Sequence, residues 1–93
     1  MIDIRRIETI LASMTNLLRL GRLDDWAHAL ERCSHDFVVD PSATCARVVS
    51  MYGGMGSLND LVLYRNGQPL IKENNELDAL RAELYDLCRA MPP

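Results

Sequence analysis

Gly53-Gly54-Met55-Gly56-Ser57-Leu58-Asn59-Asp60-Leu61-Val62-Leu63-Tyr64 is the one stretch of this chain that an amphipathic helix does not explain. Glycine weakens helices and tolerates left-handed backbone, so a helix arriving at Gly53 must stop there. Beyond it the apolar period changes. Leu61-Val62-Leu63-Tyr64, a turn at Arg65-Asn66-Gly67-Gln68 and then Pro69-Leu70-Ile71 read as a small hairpin, because Asn-Gly supplies the positive φ angles of a type I′ turn. Pro69 offers no N–H to a ladder, which makes the second strand an edge. Two strands alone are marginal in water, so the hairpin has to lie on helices. The S-x-x-D spacing of Ser57-Leu58-Asn59-Asp60 predicts one helical turn ahead of the first strand.

Upstream of this corner, three helices are predicted. Between Ile2 and Leu20, Ile7, Ile10, Leu11, Met14, Leu17 and Leu18 fall on one helical face, and Gly21 can end that helix in the left-handed conformation. A second helix opens at Asp24 or Asp25, whose carboxylates suit free N–H groups and the positive end of the dipole. Its stripe is Leu23, Trp26, Leu30, Cys33 and Phe37, with Trp26 expected deep in the core. Asp40-Pro41 is a cap followed by a proline in a first turn, and the third helix runs from there to Tyr52, burying Cys45, Val48, Val49 and Tyr52. Downstream, Asn74 or Asn75 caps a last helix whose stripe is Leu77, Leu80, Leu84, Leu87, Cys88 and Met91. The expected fold class is mainly α: a compact four-helix domain with a small β-hairpin before the last helix, in the order α-α-α-β-β-α, over one domain spanning 1–93.

Bulk properties narrow the function classes. With 93 residues, 48% hydrophobic and 25% charged, the chain has the composition of an ordinary folded domain. A net charge of −3 argues against nucleic-acid binding, which needs clustered cations to neutralise phosphates. Every apolar run is broken by charge well short of a bilayer span, and the first residues lack the features of a signal peptide, so no membrane association and a cytoplasmic location are expected. Cys33, Cys45 and Cys88 are odd in number and widely spaced, which fits free thiols in a reducing compartment.

The chemistry-bearing residues point away from catalysis. The glycine segment lacks the Gly-Lys-Ser/Thr of a phosphate loop and follows a helix instead of a strand. His28 and His35 are seven positions apart, roughly 10 Å along a helix, too far to share one ion, and no helical zinc spacing surrounds either. Neither a metal nor another cofactor is expected. Cys33 and Cys88 sit on core stripes, and Cys45 has no recognisable histidine partner. The acids Asp24, Asp25, Glu31, Asp36 and Asp40, with Glu73, Glu76, Asp78, Glu83 and Asp86, read as solvated faces, or as an acidic surface offered to a basic protein. Ser57, Asn59 and Asp60 close the glycine turn through its own amides, or also grip something outside it.

Gly53 to Leu61, together with Trp26-Ala27, Asn66-Gly67 and Glu76-Leu77, resembles a small bacterial domain family of unknown function with a GGMGS(L/F)NDL signature. The resemblance covers nearly the whole chain and implies no chemistry. Members of that style are short, stand-alone proteins often found among the immunity partners of secreted toxins.

The resulting expectation is a non-enzymatic protein-binding module, concretely an immunity protein that neutralises a bacterial toxin by occluding it. Its contact residues would be Ser57, Asn59, Asp60, Tyr64 and Arg65. The alternative is a small enzyme or ligand-binding domain built on the Gly53–Asp60 loop. A third reading is a homodimer pairing Ile2, Ile4 and Met91 across a two-fold axis.

Overall fold

In the computed structural model, residues 3–93 are described. Helix α1 spans Ile4–Leu20, and the Asp3 carboxylate accepts the Arg6 N–H at 2.9 Å to cap it. Its expected stripe is buried throughout, with Ile7, Ile10, Leu11, Met14 and Leu18 fully enclosed. Gly21 ends the helix but keeps a φ of −83°, and it is Arg22 that takes the left-handed conformation, at φ 62°. The glycine answers a different need, close approach: a Cβ on Gly21 would lie 2.5 Å from Leu63 Cδ2.

Helix α2 (Asp24–Val39) buries Ala27, Leu30, Cys33 and Phe37. Trp26 and Leu23 are only half-buried against that core, so the tryptophan is a border residue and not the centre. Asp24 and Asp25 do not cap the helix. They occupy its first turn, where they compensate the dipole. Asp40 alone separates α2 from α3 (Pro41–Ser50) and caps the latter through its carboxylate on the Ala43 N–H at 3.1 Å.

Helix α3 ends at Ser50, short of the expected Tyr52, because the Met51 and Tyr52 amides bond the carbonyls of Val48 and Val49 three residues back. Those bonds tighten the last turn and lead into the excursion 51–70. A single 3₁₀ turn over Leu58–Asp60 follows, where the S-x-x-D spacing places it. The hairpin is shorter than predicted: β1 (Tyr64–Arg65) pairs antiparallel with β2 (Gln68–Pro69), Tyr64 opposite Pro69 and Arg65 opposite Gln68. Asn66 at φ 53° and Gly67 at φ 76° supply the turn.

Helix α4 runs Ile71–Arg89, so it begins before Asn74, and its first residue is preceded by Leu70 with no side-chain cap. Asn74 serves the chain in another way, described below. Helix α1 packs on α2 and α4, and α3 also packs on α2 and α4, giving a ring of four helices around one connected cluster of buried side chains. Among the described residues no helix is long and apolar enough to cross a membrane. Ile4 is partly exposed and Met91 half-buried, while Ile2 lies outside the described residues.

Candidate binding face

The excursion 51–70 is tied to α4 by side chains projecting from one side of that helix. Asn74 accepts the Leu63 N–H with Oδ1 at 2.7 Å and donates Nδ2 to the Leu63 carbonyl at 3.0 Å, copying what a neighbouring strand would offer. This contact serves Leu63 in place of a strand partner. One turn pair further along, Arg81 Nη1 donates to the carbonyls of Leu58 (3.1 Å) and Leu61 (3.0 Å), while Nη2 pairs with Asp78. Tyr52 returns the attachment by donating its hydroxyl to the Arg81 carbonyl at 2.7 Å.

Within the loop Ser57 and Asp60 bond the backbone, while Asn59 is exposed. Ser57 is buried, and its hydroxyl donates to the Tyr52 carbonyl at 3.3 Å. The Asp60 carboxylate accepts the Gly56 N–H at 2.7 Å, and the Leu58 N–H reaches back to Met51 O at 2.9 Å. Ser57 and Asp60 are therefore engaged with the loop's own backbone. The tip faces water: Gly53, Gly54 and Gly56 are exposed, and Met55 between them is fully exposed. Gly54 and Gly56 hold φ of 80° and 72°, a backbone that L side chains rarely adopt.

Beside this tip, between α3, the loop and α4, lies a cleft of about 420 Å³. Tyr52 and Tyr85 form its aromatic wall, with ring centroids 4.9 Å apart and planes inclined by 55°. Asn59 and Gly53 border it from the loop, and Asp86 from α4. Burial pushes the Tyr52 phenol far above its ordinary range, so it stays a hydrogen-bond donor.

Of the residues expected to make contacts, only Asn59 borders the cleft. Tyr64 and Arg65 are exposed on β1 of the hairpin. Of the residues that organise the face, Arg81 and Tyr85 escaped the sequence reading, whereas Asn74 reads there as a helix cap and Asp86 as one of the solvated acids. A signal for Asn74, Arg81 and Tyr85 was present: with Asp78 they recur at helical spacing, 74, 78, 81 and 85, as a polar and aromatic stripe beside the leucines of α4.

The remaining reactive side chains are quiet. Cys33, Cys45 and Cys88 are buried free thiols, and desolvation raises the pKa of Cys45 and Cys88, which disfavours the thiolate. His28 and His35 are exposed on α2. Among the described residues no group of three or more His, Cys, Asp or Glu side chains is placed to hold a metal ion.

The profile of a domain of unknown function, DUF6966, matches residues 19–71. The chain belongs to the DUF6966 family. The matched DUF6966 region runs from the end of α1 through the glycine loop and hairpin to the first residue of α4, so it contains the loop but not the stripe that fastens it. No curated protein and no solved structure matches the chain.

Proposed function

We propose that this DUF6966 protein is a non-enzymatic protein-binding module whose contact face is the tip of the glycine loop and the cleft beside it. The supporting observation is Met55: a fully exposed apolar side chain between two left-handed glycines, on a loop that Asp60 and Arg81 hold in place. A presented methionine is an adaptable anchor, and a pre-ordered loop lowers the entropy lost on association. Tyr64 and Arg65, exposed on the same excursion, extend the set of candidate contacts.

The concrete form of this reading is an immunity protein that occludes a bacterial toxin, in keeping with the style of small protein the sequence resembles. A cytoplasmic location belongs to the same reading, and three free buried thiols suit a reducing compartment. Calorimetry against the purified product of the neighbouring gene tests it. Binding at micromolar concentration that Met55→Asp weakens by about tenfold or more is the expected result. No heat with the native chain counts against the reading.

The second reading is a small-ligand domain, favoured by the cleft, whose size falls within the usual range for such sites. Ser57 and Asp60 weigh against it, since both are engaged inside the loop. A thermal-shift screen with nucleotides and metabolites separates the two, because a ligand bound only by the native state raises Tm by mass action.

A further inference from the structure

We infer that the cleft between α3, the glycine loop and α4 receives an arginine side chain of the protein partner, an assignment that rests on the binding-module reading above. The groups around it match a guanidinium in shape and charge. Tyr52 and Tyr85 supply aromatic surface, Asp86 a carboxylate, Asn59 a side-chain amide and Gly53 exposed backbone. No Lys, Arg or His borders the cleft, so an anionic guest would meet a carboxylate with nothing to balance it.

Asp86 is the one carboxylate that borders the cleft, and no cation of the described residues neutralises it. Glu83 is paired with Arg6, Glu31 with Arg19, Asp36 with Arg47 and Asp78 with Arg81, whereas Asp86 forms no ion pair among the described residues. A planar guanidinium can lie on a tyrosine face and point its fork at a carboxylate at the same time, with further donors left for an amide oxygen. An ammonium brings the charge without the planar fork. The Tyr85 ring already takes such a group from its own helix: the Arg89 guanidinium carbon lies 5.6 Å from the ring centroid, and Arg89 does not border the cleft. The overall charge of −3 favours approach of a cationic partner.

The test uses the whole chain, labelled with ¹⁵N, and N-acetyl-arginine amide as the probe, with the lysine and glutamate equivalents as controls. Arginine is expected to produce saturable amide shifts confined to Gly53, Asn59, Ala82, Tyr85 and Asp86, with a Kd of about millimolar as befits one side chain. Asp86→Asn, an exposed isosteric change, is expected to weaken the probe by about tenfold while leaving the rest of the spectrum in place. Tyr85→Leu should weaken it as well. Absence of saturable shifts, an equal response to lysine, or indifference to Asp86→Asn overturns the assignment. The two ideas fail separately. Partner binding that needs Met55 in a protein whose cleft ignores arginine removes this inference alone, and arginine binding in a protein that binds no partner removes the binding-module reading and with it the partner as the source of the arginine.

Discussion

The side-chain amide of Asn74 satisfies both backbone groups of Leu63, with contacts of 2.7 and 3.0 Å, and so joins the glycine excursion to α4 without a third strand. The Leu63 carbonyl also accepts the Leu70 N–H at 2.9 Å, whereas among the described residues the Leu63 N–H bonds Asn74 alone. Replacing Asn74 by Leu strands that N–H in a part-buried setting and is expected to cost about 1–3 kcal/mol. Asn74→Asp keeps the acceptor and should cost less. Urea denaturation of the two variants checks the order.

The glycines separate into two kinds. Gly21→Ala pushes a methyl against Leu63, which is itself fully buried, and should destabilise by about 1–3 kcal/mol through overpacking. Gly54→Ala and Gly56→Ala meet open space but strain a left-handed backbone, at about 1–2 kcal/mol each. Gly53→Ala meets neither obstacle and is expected to be neutral or to stabilise by up to about 1 kcal/mol. Thermal denaturation of the four single variants reads the pattern, and a Gly53→Ala as harmful as Gly21→Ala would contradict it.

Acid should weaken the fold through two ion pairs. Hydrogen bonding from Arg6 holds the Glu83 carboxyl below its ordinary 4.5, and Arg19 does the same for Glu31. A folded pKa below the unfolded one means a contribution that is present above pH 4.5 and fades as pH drops through the folded value. Both pairs are well exposed, so the effect is small and screened by salt. Glu31→Gln together with Glu83→Gln is expected to flatten the acid limb of a stability-against-pH curve, most visibly at low ionic strength.

Alkali acts with the opposite sign. The thiols of Cys45 and Cys88 and the phenol of Tyr52 are all raised by burial, so the stability they confer is complete below their ordinary values of 9.0 and 10.0. It is lost as pH rises beyond them. Stability is expected to fall above pH 9, and Tyr52→Phe should shallow that decline. A thiol reagent such as dithionitrobenzoate should find no fast-reacting group in the native chain and three in denaturant.

Helix identity was legible wherever an apolar stripe faced one core, as in α1, where every residue of the predicted stripe is buried and Thr15 joins them unpredicted. Asp40 was legible as a cap because Pro41 follows it. Boundaries set by tertiary contact were not. Nothing local in Gly21 tells that Leu63, distant in sequence, will press against it. Asn74 looks like a helix cap in sequence, and only the arrival of Leu63 turns it into a substitute strand. Likewise Ser57 and Asp60 carry the residue types of a binding loop, yet their partners are the loop's own amide and carbonyl. The aromatic wall of the cleft was hidden because Tyr52 and Tyr85 come from segments distant in sequence, one in the turn after α3 and the other in α4, the first read as core and the second unremarked.

The attachments made by Asn74 and Arg81 reach the excursion at Leu58, Leu61 and Leu63, all of them past the outermost turn at Gly53–Gly56. Around Gly53, Gly54 and Gly56 there is open space in every case. That outermost turn is held from behind at Gly56, by the Asp60 carboxylate, so the residues ahead of Gly56 can be lengthened, or replaced by a foreign peptide, as long as that bond is kept. The same frame could display many different tips, and recognition could be rewritten there while the four helices stay as they are.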